Sequence, residues 1–396
     1  MSKWEMVQLG NVCVIERGGS PRPIDKYITD DENGINWIKI GDTSPHSMYI
    51  TETKEKIKLE GVKKSRRVYN GDFLLSNSMS FGRPYILKID GCIHDGWLLI
   101  RDEKNIFDKR FLYYYLGSDR TYEEFKGLAV GGVVNNLNSS MVRKLIIPLP
   151  PLETQQKIAD VLDRAGALIE KRKAQIEKLD LLIKSQFIEM FGDPVTNPKG
   201  WELRDLGNCC AINPKKKEIE RIPRETFISF VGMAEVSENG EIDTTHQTTI
   251  EEASSGFTYF AENDVLFAKI TPCMENGKGA IARNLINDIG FGSTEFHVLR
   301  PLESISTSEW LYYLTWLDTF RKQAEKNMTG SAGQKRVPIK FIEKYKVPLP
   351  PLSLQTQFAD FVNQVEAQKS LLQQSLEKLE INYKSLMQKC FRGEIF

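Results

Sequence analysis

Two stretches of this chain carry apolar residues alternately four and three positions apart, nearly free of Pro and Gly for about forty residues. The first seam runs through Ile158, Leu162, Ala165, Ile169, Arg172, Ile176, Leu179, Ile183, Gln186 and Met190. Two hundred residues later Phe358, Val362, Val365, Lys369, Leu372, Leu376, Leu379, Tyr383, Leu386 and Cys390 repeat it, and only Arg172, Gln186 and Lys369 are polar. This spacing keeps one narrow stripe of a helix against a partner helix, whereas a single helix lying on a globular core needs a broader one. The pattern predicts two paired helices, each about 55–60 Å long. Helices of that kind are stable only when their seams are covered.

The helices belong to a larger repeat. Pro148-Leu149-Pro150-Pro151-Leu152 introduces the first and Pro348-Leu349-Pro350-Pro351-Leu352 the second. Upstream, the segment from Trp4 to Cys13 aligns with that from Trp201 to Cys210, sharing Trp, Glu, Leu, Gly, Asn and Cys at matching places. Gly71-Asp72-Phe73-Leu74 answers Asn263-Asp264-Val265-Leu266, and Phe111-Leu112-Tyr113-Tyr114 answers Trp310-Leu311-Tyr312-Tyr313. The chain is a tandem duplication of one unit, a globular domain followed by a long helix, and such a unit packing on itself generates a pseudo-two-fold internal repeat. In each domain short apolar runs between Gly and Asp read as strands: Phe73-Leu74-Leu75, Tyr85-Ile86-Leu87 and Trp97 to Ile100, answered by Val265 to Phe267, Ala280 to Ala282 and Phe296 to Leu299. Lys109 to Leu116 and Ser308 to Leu317 read as aromatic helices, so the fold class is α+β. Residues 18–64 and 213–255 share almost nothing, so each domain has a common framework with private loops.

Composition removes several classes. No apolar run is long enough to span a membrane, and Met1-Ser2-Lys3-Trp4-Glu5 lacks the apolar core of a signal peptide, so a cytoplasmic protein is expected. The six cysteines form no C-x-x-C, which supports neither a zinc site nor a disulfide framework, and Cys13 and Cys210 read as buried packing. Lys and Arg number 53, as do Asp and Glu, so any nucleic-acid contact must come from local clusters. The four histidines do not cluster, and there is neither a G-x-x-x-x-G-K-[ST] loop nor a cofactor turn with its catalytic loop. Binding without catalysis is the expectation, with no metal site.

The binding candidates are loops. Lys63, Lys64, Arg66 and Arg67 form the densest basic tract, and Lys215-Lys216-Lys217 another. The loops after the first paired strand carry amides, hydroxyls and a cation beside Gly: Asn77, Ser78 and Arg83 in the first domain, and Lys269, Thr271 and Lys278 in the second. Such groups suit phosphates and base edges where the backbone must approach closely. Before each PLPPL stands a glycine-led loop, with Asn135 and Asn136 in one half and Gln334, Lys335 and Arg336 in the other.

Taken together, the domain-helix-domain-helix order, the starts at Trp4 and Trp201, the P-L-P-P-L-x-x-Q runs reaching Gln155 and Gln355, and the exits Phe191-Gly192-Asp193 and Phe391-Arg392-Gly393 resemble the DNA-specificity subunit of type I restriction-modification systems. The resemblance covers essentially the whole chain. It implies a target recognition domain at 1–150, a central helix at 151–192, a second recognition domain at 193–350 and a C-terminal helix at 351–396, with the helices paired antiparallel. On that pattern each domain reads one half of a split, asymmetric site in double-stranded DNA, and the helices act as a ruler that fixes half-sites about 34 Å apart. Two methyltransferase subunits and a motor-nuclease subunit are the implied partners, S-adenosylmethionine, ATP and Mg being used there and no cofactor in this chain. The loops around Asn77, Lys269 and Arg336 are then the DNA contacts. A related system with a fused methyltransferase-nuclease, and an architectural coiled-coil scaffold that binds no DNA, are the competing readings.

Overall fold

Both apolar seams fold as unbroken helices, Leu152–Phe191 and Leu352–Arg392, in the computed structural model of the chain, which describes residues 4–44, 47–77, 82–129, 137–331 and 333–396. The chain divides into two units within these helices: Met1–Arg172 with Ser375–Phe396, and Lys173–Gln374. Each unit therefore holds one globular domain and one half of each long helix. Inside each, the helix segments run antiparallel. Ile158 and Leu162 share a core with Cys390 and Phe391 in the first unit, as Ile183 and Phe187 do with Phe358 and Val362 in the second.

In the first unit Glu5–Gln8 pairs antiparallel with Ile146–Leu149, so the Trp-Glu start lies along the PLPPL run. Leu9, fully buried, then turns the chain beneath the short helix Ser139–Lys144, and Gly10 makes that approach possible: a Cβ there would stand 2.7 Å from Arg143 Cβ. Among the described residues one sheet orders Val14–Arg17, Trp97–Arg101, Phe73–Ser76, Pro84–Leu87 and Tyr49–Ile50. A second orders Ile28–Thr29, Glu55–Ile57, Ile35–Ile38, Gly91–Ile93 and Arg66–Val68. The aromatic helix Lys109–Leu116 is started by Asp108, whose carboxylate accepts from the Arg110 and Phe111 amides. Phe391, from the end of the second long helix, meets Phe111 and Tyr115 edge-on at 5.6 and 5.1 Å.

The second unit repeats this plan. Glu202–Asp205 pairs with Lys346–Leu349, one sheet orders Cys210–Ile212, Phe296–Pro301, Val265–Ala268 and Gly279–Ile281, and the other orders Gln247–Thr249, Phe227–Val231, Ile289–Gly292 and Thr258–Ala261. Thr307 caps the aromatic helix Ser308–Trp316. Phe358 packs edge-on against Phe187 and Phe191 at 5.4 and 5.2 Å.

Two repeated devices join the globular part to its helix and sheet. Gln155 and Gln355 are buried in the first turns of the long helices. The Gln155 carbonyl accepts from the Asp108 amide at 2.7 Å while its NH₂ donates to the Ile106 and Pro150 carbonyls at 3.0 and 2.9 Å. Gln355 makes the same three bonds, each at 3.0 Å, with Thr307, Ile305 and Pro350. A primary amide offers both donors and an acceptor, so it satisfies a buried loop that a hydrophobic residue would leave unpaired. Likewise Asp72 and Asp264 accept backbone amides and each receives a two-pronged guanidinium, from Arg101 and Arg300.

Near the end of the first helix the fully buried positions are Phe187 and Phe191, whereas the seam positions Gln186 and Met190 are half-buried, Met190 against the same core. There the helix shares a core with Trp310 and Tyr313, and a helix that faces a globular core follows the 3.6-residue period. Elsewhere on the seams Ile169 and Val365 are buried, while Ile176, Leu179, Leu372, Leu376, Leu379 and Leu386 are half-buried. Lys369, the polar member of the second seam, is buried and its ammonium lies 2.7 Å from Asp180. Cys13 and Cys210 are buried free thiols. No helix of the described residues is long and apolar enough to cross a membrane.

Candidate nucleic-acid interface

In the second domain the strand Val265–Ala268 runs antiparallel to Phe296–Pro301, and hydrogen bonding continues beyond its end. The Lys269 amide donates to the Glu295 carbonyl, the Val337 amide to the Lys269 carbonyl and the Thr271 amide to the Lys335 carbonyl, at 2.9 to 3.0 Å. This extension brings the loop after the first paired strand and the loop before PLPPL onto one edge. Lys269, Thr271, Lys335 and Arg336, dispersed in sequence, become neighbours there. Arg336 is held by Glu295: its Nε lies 2.9 Å from one carboxylate oxygen and its Nη2 2.8 Å from the other. That hydrogen bond keeps the Glu295 carboxyl below its ordinary range. Burial lowers the Lys269 ammonium, with Glu295 opposing.

Beneath this edge His297 is buried, its Nε2 2.9 Å from the Val337 carbonyl and its Nδ1 3.2 Å from the Asn213 side-chain amide. The carbonyl can only accept, so Nε2 carries the proton and Nδ1 accepts from Asn213. Burial holds the imidazole below its usual value, consistent with this neutral form.

The first domain builds the same ladder with other side chains. The Asn77 amide donates to the Gly96 carbonyl and the Leu137 amide to the Asn77 carbonyl, both at 3.0 Å. The Asn77 side chain is buried and donates to the Asp95 carbonyl at 2.7 Å, which braces the loop. The Arg83 guanidinium lies 5.6 Å from the Tyr85 ring centre. Ser78, Asn135 and Asn136 lie outside the described residues.

Residues 1–178 and 198–381 both match the family model described as type I restriction modification DNA specificity domain. The chain belongs to that family. Its similarity to the type I restriction enzyme EcoAI specificity subunit of Escherichia coli is 36% identity over 252 residues, 60% of this chain and 40% of that protein. The EcoEI specificity subunit of Escherichia coli is 35% identical over 60% of this chain and again 40% of its own length, so the chain spans two fifths of these relatives. The type I restriction enzyme MjaIX specificity subunit of Methanocaldococcus jannaschii is 24% identical over 97% of this chain and 89% of its own. A solved structure concerned with complex assembly and conformational transition of the type I R-M system contains a chain of the same fold, with TM-score 0.64, 19% identity, and coverage of 99% of this chain and 98% of that one.

Within the two specificity domains, the expected contact residues differ in what their side chains already hold. Lys278 donates to the Met233 carbonyl at 3.0 Å and so ties the loop to the private segment. Thr271 donates to Glu275 at 3.0 Å. Gln334 and Lys335 are exposed. In the basic tract of the first specificity domain Lys63 is exposed, Lys64 donates to the Tyr27 hydroxyl at 2.6 Å, Arg66 pairs with Glu16 at 3.2 Å and Arg67 lies over Tyr69. Lys216 lies over the Phe291 ring and donates to the Ser254 carbonyl.

Three features were not visible in the sequence pattern. Glu295, which orients Arg336, stands far from any basic or amide-rich stretch. Arg321 is buried on the helix Asp318–Lys326 and donates to the Met274 and Gly277 carbonyls, so it braces the 269–278 loop from below; burial pushes it down to about 10. In the first specificity domain the private segment forms a cleft of about 1130 Å³ whose lining includes Ser20, Arg22, Trp37, Lys39, His94 and Asp95. Among the described residues no group of three His, Cys, Asp or Glu could hold a metal ion.

Proposed function

We propose that this chain is the sequence-specific DNA-binding specificity subunit of a type I restriction-modification complex, each domain reading one half of a split, asymmetric site in double-stranded DNA. The observation that carries the reading is the pair of family matches, at 1–178 and 198–381, on one repeated framework that presents unlike loops. Matched frames with unmatched loops are what reading two different half-sites requires, because the frame sets position while side chains at base edges set sequence. On this reading the long helices set the spacing between half-sites and dock two methyltransferase subunits and a motor-nuclease subunit. Catalysis belongs to those partners, which use S-adenosylmethionine, ATP and Mg, and the assembly works in the cytoplasm. Zero formal net charge fits a chain whose partners supply much of the phosphate-binding surface.

The test is a map of methylated adenines in cells carrying this chain with its methyltransferase partner, set against cells lacking this chain alone. A two-part motif that appears only with the chain is expected. Chain-independent methylation, or none in the presence of a soluble complex with active methyltransferase, would overturn the proposal.

A further inference from the structure

The Glu295–Arg336 pair has a geometry that separates two ways of touching DNA. A guanidinium has five N–H donors. In Arg336 the Nε donor and one on Nη2 go to the Glu295 carboxylate, and one on Nη1 goes to the Gln334 carbonyl at 3.2 Å. One N–H on each terminal nitrogen remains, and the side chain is 42% exposed. Glu295 is itself fixed, since its carbonyl accepts from the Lys269 amide and residue 336 bridges to Ile270 in the same ladder. The guanidinium is thus oriented and locally neutralised. Next to it Lys335 is exposed, and among the described residues no ion pair holds its side chain.

A phosphate contact gains from net positive charge, and a carboxylate paired with the cation works against it. A base-edge contact gains from orientation, because two parallel donors must meet guanine O6 and N7 together. Adjacent residues are therefore suited to different work. We propose that Arg336 reads a guanine in the half-site of the second domain, that Glu295 is the positioning residue which presents its donors, and that Lys335 contacts the phosphate backbone. This rests on the DNA-recognition reading above. The device is private to the second domain, since the position matching Glu295 in the first domain's ladder is Gly96.

The test uses the full chain assembled with its methyltransferase partner, with the methylation motif and the salt dependence of binding to the wild-type site read together. Arg336→Ala should relax one G·C position in one half-site by roughly 5- to 150-fold, leaving the other half-site unchanged and the salt slope nearly so. Arg336→Lys keeps length and charge but loses the paired donors, and should relax the same position, which keeps the test valid if the Ala variant folds poorly. Glu295→Gln should relax that position and no other, by less than Arg336→Ala does, a base-specific effect that a merely structural role would not produce. Lys335→Ala should weaken binding to all sites alike and reduce the salt slope by about one, with the motif intact.

The inference is overturned if the Arg336 variants lower the salt slope while leaving the motif unaltered, or if the half-site read by the second domain contains no G·C pair. A wild-type chain that directs no motif at all would instead overturn the DNA-recognition reading itself, so the two failures are distinguishable.

Discussion

Replacing Gln355 by Leu tests how the second globular domain is joined to its long helix. The side chain is fully buried, and it satisfies the Thr307 N–H and the Ile305 and Pro350 carbonyls, each at 3.0 Å. Leucine fills similar space but pairs with none of them. A buried backbone group left without a partner costs about 1–3 kcal/mol, so three of them, offset by the added apolar burial, give a net loss of about 3 kcal/mol. A chain of two units need not unfold in one step, which makes hydrogen exchange on the intact protein the suitable assay. At 1.4 kcal/mol per factor of ten, protection in Ser308–Trp316 and Lys346–Leu349 should fall by about 100-fold, with the first domain's Lys109–Leu116 little changed. Gln155→Leu should produce the reverse distribution. Gln355→Glu keeps the acceptor for Thr307 but turns a carboxylate toward two carbonyls, so at neutral pH it should cost at least as much. Protection at Ser308–Trp316 altered by less than threefold, or an equal fall in both domains, would refute the account of the lock.

Burial holds His297 below its ordinary value of 6.5, with Lys269 acting in the same sense and the Val337 carbonyl and Glu295 opposing. The unfolded chain therefore takes up this proton first on acidification. The second unit has the corresponding stability above about pH 6.5 and loses it as the pH falls through the folded-state value, by up to about 1.4 kcal/mol per pH unit; exchange measured from pH 7.5 to 5.5 should show it, and His297→Gln should flatten the profile. Gly10→Ala forces a Cβ to within 2.7 Å of Arg143 Cβ and should lower the first unit's stability by about 1–3 kcal/mol, while Gly207→Ala, 3.1 Å from the Glu343 carbonyl, should cost less by the same measurement. Asp180→Ala strands the buried Lys369 ammonium and should cost about 3 kcal/mol in the second unit, whereas Asp180→Leu with Lys369→Leu should recover most of it; an equal loss in the double variant would show that the pair itself, and not the stranded charge, carries the stability.

The elements that repeat were legible because their side chains must do the same physical work twice. The seam at Ile158 and Phe358, the PLPPL-to-Gln spacing and the aromatic helices all appear where their patterns place them. The private sheets were not, because their strands are short and several pair across long stretches of chain. Ile35–Ile38 with Gly91–Ile93, and Phe227–Val231 with Ile289–Gly292, are parallel pairs without clean alternation. At the candidate interface, residue type marked loops that the ladder brings together but could not say what each side chain holds. Asn77 and Lys278 have the donors of a DNA contact, and both donate to backbone carbonyls of their own domain. Glu295 and Arg321 act through partners 41 and 44 to 47 residues away, a relation that only the ladder and the helix make visible.

The same comparison explains how unlike domains can sit on like helices. The Gln lock binds backbone atoms, so it is indifferent to the side chains of the loop it closes. The charged contacts to the long helix are not shared: Arg110 reaches Asp160 and Asp163 in the first unit, whereas in the second Arg283 bridges Glu309 and Asn363. Each domain thus brings its own cation, from a different element, to the same stretch of helix. Exchanging the domains would put Arg283 and Glu309 against Asp163, one carboxylate more than Asn363 offers. That position is partly exposed, and a mismatch of one surface charge costs no more than about 1 kcal/mol. The contact that could not be exchanged cheaply, the buried amide, is the one both halves make identically.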